Sequence, residues 1–260
     1  MRRWIVVAVG CLLTWAGAGV LSASALARPA LRSAVTPFSG KHRISAGVAY
    51  SSNWSGYAAY GRKFKRATGT FVVPTANCSA VHGHQETDAA FWAGLDGYLP
   101  TSGSVEQTGV EAICVGTQAY YLPWYEFYPA GLVVIQQPVK PDDTMVATVS
   151  HNSTTVTAKL TDVTRGWSNS AHTSAAGLAF SSAEWITEGL THPTLPLTDF
   201  GSVHFGSASA TDGANQTGTI SSKAWKHDRI IQVDNNSTID ATPTKLSGGG
   251  SAFDVVWNSF

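Results

Sequence analysis

Charge is scarce in this chain: Asp, Glu, Lys and Arg make up 13% of 260 residues, with 17 basic against 17 acidic. A formal net charge of zero argues against a nucleic-acid binder, which needs a basic surface to meet phosphates. Cysteine is scarce too. Of three, Cys11 lies in an N-terminal apolar run, which leaves only Cys78 and Cys114 beyond it. The HExxH signature is missing, so His82-Gly83-His84 with Asp88 reads as a solvated Gly-rich loop and no metal is expected. There is no GxSxG, hence no nucleophile elbow. Thr211-Asp212-Gly213 and Gly248-Gly249-Gly250 are turns with no phosphate-cradling context. Past the first segment no window of a dozen residues carries an apolar stripe at helical spacing, and no internal repeat is visible.

What is present begins with an address. Arg2 and Arg3 precede an apolar run from Trp4 to about Val20, and Ala25-Leu26-Ala27 has the small-x-small form of a signal-peptidase site. Residues 1–27 are therefore expected to be a signal peptide, and the protein to be secreted. In an oxidising compartment Cys78 and Cys114 form a disulfide. Residues 28–50, with Pro29, Pro37, Gly40 and Gly47 among scattered basic residues, read as a linker or propeptide. The first 50 residues hold six basic and no acidic side chains, so the remainder has a net charge of −6. A basic segment of this kind suits a cover over an acidic groove.

From Ser51 to residue 260 a single domain is expected, built of short β-rich runs between turn residues. The runs are 53–60, 69–74, 91–96, 105–115, 119–128, 144–151, 154–162, 177–180, 183–188, 199–208 and 253–257. Many short strands at this spacing predict an all-β antiparallel sandwich or barrel. Strand alternation then assigns faces. Glu184, Ile186 and Glu188 share one side; Trp92 and Asp96 fall together with Gly94 between them; Trp124, Glu126 and Tyr128 face one way. Such mixed aromatic and carboxyl faces suit a binding groove.

Seven stretches in register carry a resemblance. They are NWSGY at 53–57, FVVPTANC at 71–78, FWAGLDG at 91–97, VEQTGVEA at 105–112, WYEFYP at 124–129, SAEWITEGL at 182–190 and DFGSVHF at 199–205. Together the chain resembles the glutamic peptidases, or eqolisins. The resemblance implies a β-sandwich of two large curved antiparallel sheets, a lectin-like (concanavalin A-like) jelly roll, with a groove across its concave face. It implies Gln107 and Glu184 as the catalytic pair, Trp92, Asp96 and Glu126 beside them, and Trp54 and Tyr128 as groove-lining aromatics. It also implies a polypeptide substrate, no cofactor, and a monomer with no membrane partner once the signal is gone. Departures are the short Gly/Ala-rich insert around His82 and a single disulfide.

The residue types suit the chemistry. Amide hydrolysis needs an activated water, a donor for the oxyanion and an acid for the leaving amine. Glu184 can take a proton from water and return it to the amine; Gln107 is a donor that does not titrate in acid. Crowded carboxyls cannot all ionise, so activity is expected to fade toward neutral pH. A lectin-like carbohydrate binder, with Trp92, Trp124 and Tyr128 as stacking platforms, is the alternative.

Overall fold

A computed structural model describes residues 37–38, 47–80, 86–190 and 195–259. The expected signal peptide, most of the expected leader and the His82-Gly83-His84 loop lie outside the described residues. Sixteen strands follow in order. The first eight are β1 (Val48–Ser51), β2 (Trp54–Tyr60), β3 (Phe64–Val72), β4 (Glu86–Leu95), β5 (Val105–Val115), β6 (Gln118–Tyr128), β7 (Val133–Val134) and β8 (Thr144–His151). The rest are β9 (Thr155–Asp162), β10 (Trp167–Ser174), β11 (Ser182–Glu188), β12 (Ser202–Asp212), β13 (Thr217–Thr219), β14 (Lys226–Val233), β15 (Ile239–Pro243) and β16 (Phe253–Trp257).

The fold is the expected all-β antiparallel sandwich, with one refinement. The two layers belong to one hydrogen-bonded ladder, in the order β10-β9-β8-β3-β12-β16-β15-β14-β2-β11-β4-β5-β6-β7. The ladder doubles over so that β3, β8 and β9 pack across from β4, β5, β6 and β11. Only β1, beside β14, pairs parallel among the named strands.

Alternation in each strand fills the space between the layers. Phe91, Ala93 and Leu95 of β4, Val110 and Ala112 of β5 and Trp185 of β11 meet Phe71 of β3, Val149 of β8 and Leu160 of β9. Trp185 reaches across the gap and donates from its indole nitrogen to the Thr68 carbonyl at 2.8 Å. Gly69 makes this approach possible, because a Cβ there would stand 2.7 Å from the indole.

Cys78 and Cys114 are bonded, joining the short helical turn after β3 to the end of β5 across a separation of 36 residues. Restricting the unfolded chain by a loop of that length contributes about 2–4 kcal/mol. Replacing both cysteines with serine is expected to lower the urea midpoint by a corresponding amount without changing the fold; an unchanged midpoint would deny the crosslink any role in stability.

Residues 177–180 do not form a strand. Gly177 and Phe180 both sit at positive φ, and the segment turns toward β11 instead.

Candidate active site

A second apolar cluster occupies the other face of the β14-β2-β11-β4-β5-β6 layer: Trp54, Ala58, Trp92, Tyr98, Trp124, Ile186 and their neighbours. On that face the strand register aligns one row across the layer. Asp228 of β14 pairs Ala58 of β2, Ala58 pairs Glu184 of β11, and Glu184 pairs Gly94 of β4. Gly94 pairs Gln107 of β5, which pairs Glu126 of β6. Glu184 and Gln107 are thus two strands apart, roughly 10 Å between backbones, and only a glycine stands between them. Gly94 also leaves no room for a side chain, since a Cβ would fall 2.9 Å from the Glu106 carbonyl oxygen and 3.1 Å from the Gln107 Cβ.

The register brings Glu184, Gln107 and Glu126 together. Gln107 donates from Nε2 to Glu126 Oε2 at 2.9 Å, while its own Oε1 has no bonded partner among the described residues. Both carboxyl oxygens of Glu184 likewise lack a bonded partner. Trp54, Trp92 and Trp124 floor the same face, with Trp54 edge-on to Trp92 at 5.0 Å between ring centres. Tyr128 packs at the margin of this cluster.

Asp96 departs from simple alternation. It lies just past the end of β4 with φ of 69°, and its carboxyl group turns to the segment leading into β11. There it accepts from the Phe180 and Ser181 backbone N–H groups at 2.5 and 2.7 Å and from the Ser181 hydroxyl at 2.8 Å. Its place is therefore at the root of the strand that carries Glu184.

Burial governs the titration of this region. Glu184 is fully buried, and that desolvation pushes its carboxyl well above the usual carboxylate range; Asp96 and Glu106 push the same way, while the Ser182 hydroxyl favours ionisation without reaching bonding geometry. Glu106 pairs Leu95 and Phe127 and so faces the space between the layers. Burial, then Asp96, raises it to about 8.

Four residues that the sequence reading did not assign to the site belong to its surroundings. Glu188 accepts from the Trp92 indole and from Asn53 Nδ2, both at 3.1 Å. Tyr98 donates to Asp228 at 2.5 Å, and burial followed by that bond raises its phenol pKa. Asp228 sits in β14, a run whose charged residues hid its strand character. Tyr98 lies one residue beyond the FWAGLDG stretch, and Glu106 is the neighbour of Gln107 on the opposite face. Only Glu188 had a visible signal, the alternation it shares with Glu184.

Neither Glu184 nor Gln107 has exposed surface in this chain, so the open groove expected from sequence is closed. Part of what lies against that face is Phe38, packed edge-on to Trp54 and Tyr98.

A doubled antiparallel sheet with acids and a primary amide aligned on one buried face defines an all-β enzyme scaffold of the eqolisin type. The peptidase A4 family model matches residues 52–255, and the chain belongs to that family. It is accordingly a glutamic endopeptidase, a hydrolase of peptide bonds. Aspergillopepsin-2 of Aspergillus niger is 28% identical to it over 222 residues, 76% of either chain. Among solved structures it is similar to scytalido-glutamic peptidase with a peptide-based transition state analog, at a TM-score of 0.66 and 22% identity over 80% of this chain and 98% of that one. It is similar too to SCP-B, an eqolisin in complex with the tripeptide Ala-Ile-His, at a TM-score of 0.64 and 22% identity, again over 80% and 98%. These structural likenesses establish the fold.

Proposed function

We propose that the enzyme is a secreted, acid-acting endopeptidase in which Glu184 activates water and Gln107 stabilises the oxyanion. The observation that carries this reading is the transverse row, which holds an unbonded acid and an amide on either side of a side-chain-free position. In the forward step a water proton passes to ionised Glu184 as the water oxygen bonds to the scissile carbonyl carbon. The carbonyl oxygen gains negative charge and accepts a hydrogen bond from Gln107 Nε2. That nitrogen carries two hydrogens, so it can serve the oxyanion while the other is donated to Glu126. Glu184 then returns its proton to the amide nitrogen as the C–N bond breaks.

Closure of the site bears on this mechanism. Burial raises the Glu184 carboxyl and so disfavours the ionised base, which makes the working state one in which the face is opened to water. Displacement of Phe38 from Trp54 and Tyr98 would supply part of that opening.

The carbohydrate-binding alternative gains no observation of its own, because Trp92 and Trp124 are buried on the same closed face as Glu184 and Gln107. The test is digestion of a denatured protein by the full chain after incubation in acid, across a pH series. Cleavage strongest in acid and fading toward neutral is expected. Retention on polysaccharide with no proteolysis at any pH would remove the mechanism.

A further inference from the structure

Two described residues of the leader, Pro37 and Phe38, are held against the enzyme in a manner that an extended peptide would share. The peptide unit between them uses both of its polar groups. The Phe38 N–H donates to the Gly97 carbonyl at 3.1 Å, and the Pro37 carbonyl accepts from Asn53 Nδ2 at 3.4 Å. Asn53 is itself buried and fixed: its Nδ2 also donates to Glu188 Oε1 at 3.1 Å, and its Oδ1 accepts from the Ser51 hydroxyl at 2.8 Å. Every residue of a polypeptide except proline carries that same N–H, and every one carries the carbonyl, so these contacts recognise a backbone and not a particular sequence.

The side chain supplies the selectivity. The Phe38 ring stands edge-on to Trp54 at 5.8 Å and to Tyr98 at 5.2 Å between centres, the geometry aromatic pairs prefer. Both walls are anchored. Trp54 is locked against Trp92, and Tyr98 is tied to Asp228, an end of the row that contains Glu184. A hollow of about 290 Å³ continues beside the ring, between Pro37 and Phe38 on one side and Gly97 to Pro100 with Ser102 on the other. Phe38 is the only phenylalanine among residues 28–50.

We propose that the cleft between Trp54 and Tyr98 is a subsite for an aromatic side chain of the polypeptide substrate, and that Phe38 holds it in the uncut chain as an internal substrate mimic. The proposal rests on the reading of this face as the substrate-binding one. It assigns the specificity of the subsite to Trp54 and Tyr98, its backbone recognition to Asn53 and Gly97, and to the leader the role of a competitor displaced when it is cut.

The test reads binding without turnover, in the full chain carrying Glu184→Gln, with and without Phe38→Ala. The probes are acetyl-Gly-Phe-Gly-amide and acetyl-Gly-Ala-Gly-amide, titrated by calorimetry, with thermal melting to show that each variant is folded. The Phe38→Ala chain is expected to bind the Phe probe roughly tenfold or more tighter than the chain that keeps Phe38, with no such gain for the Ala probe. Adding Tyr98→Ala should abolish the preference. Equal affinity of the two chains for the Phe probe, a gain shared by both probes, or no binding of either probe to either chain would each overturn the proposal. The active full chain, assayed in acid on peptides containing Phe or Ala, separates this from the catalytic reading. Proteolysis with no change from Phe38→Ala sinks the subsite and leaves the mechanism standing; Phe38-dependent binding without proteolysis does the reverse.

Discussion

Glu184→Gln lowers turnover of a denatured protein in acid by roughly 100-fold or more, while the melting temperature stays close to that of the parent. The split between the two readouts follows from the surroundings of the side chain. Glu184 is fully buried, and neither of its carboxyl oxygens has a bonded partner among the described residues, so an amide of the same shape displaces no protein hydrogen bond. What the substitution removes, on the proposed mechanism, is the ability to take and return a proton. Gln107→Ala behaves differently. On the proposed mechanism it removes the oxyanion donor, for a similar loss of rate, and it also takes from Glu126 the donor that stands at 2.9 Å, which costs about 1–3 kcal/mol of stability. A Glu184→Gln enzyme that retains near-parental turnover would exclude that residue from proton transfer, whatever its position.

The second large effect is a loss of stability as pH rises. Among the described residues five buried carboxyls, Asp162 and the four that follow, carry folded-state pKa values above their unfolded ones. Glu106 is raised to about 8 by burial and then Asp96, and Asp240 to about 6 by burial and then Asp234. Glu184 is raised by burial and then by Asp96 and Glu106, and Glu111 by burial and then by Asp88 and Glu86. For a raised carboxyl the protonated form is favoured by folding, so its stabilisation is complete below the unfolded pKa near 4 and disappears as pH passes the folded value. Asp240 therefore acts up to about pH 6 and Glu106 up to about pH 8. Ionising Glu106 in its apolar setting costs roughly 5 kcal/mol as an upper bound. Melting the full chain in the Glu184→Gln background at a series of pH values should show a steep fall between about pH 5 and 8. Glu106→Gln should flatten that fall, since the amide has no proton to lose. A parental curve level from acid to pH 8 would show that these groups are solvated enough to ionise in place.

Much of this architecture was legible in the residues, and the reasons for the exceptions are physical. Runs such as Phe91–Leu95 and Ala183–Glu188 alternate so plainly that their faces follow from spacing alone, and the register then delivers the row containing Glu184, Gly94 and Gln107. β10, Trp167–Ser174, escaped notice because an edge strand with one half-solvated face is written in Ser, Asn, His and Thr. β14 escaped because Lys226, His227, Asp228 and Arg229 open it, although Asp228 is buried against two tyrosine hydroxyls. Asp96 was expected beside Trp92 by alternation, but it lies past the end of β4, and its backbone twist and its bonding to residues 180 and 181 depend on a loop far away in sequence. The closure of the face is likewise a tertiary fact. No local pattern marks Phe38 as the residue that meets Trp54 and Tyr98.

The strand order also sets when the enzyme comes into being. Gln107 and Glu126 lie in β5 and β6, whose pairing with each other, and that of β5 with β4, is available by residue 128. Glu184 enters on β11 between β2 and β4, and β2 in turn is flanked by β14, whose last residue is Val233. Long-range pairings of this kind form slowly and late. A chain still emerging from the ribosome thus holds Gln107 without Glu184, and the row closes only when β11 has joined β4. Assembly order by itself keeps the row incomplete until the later strands arrive.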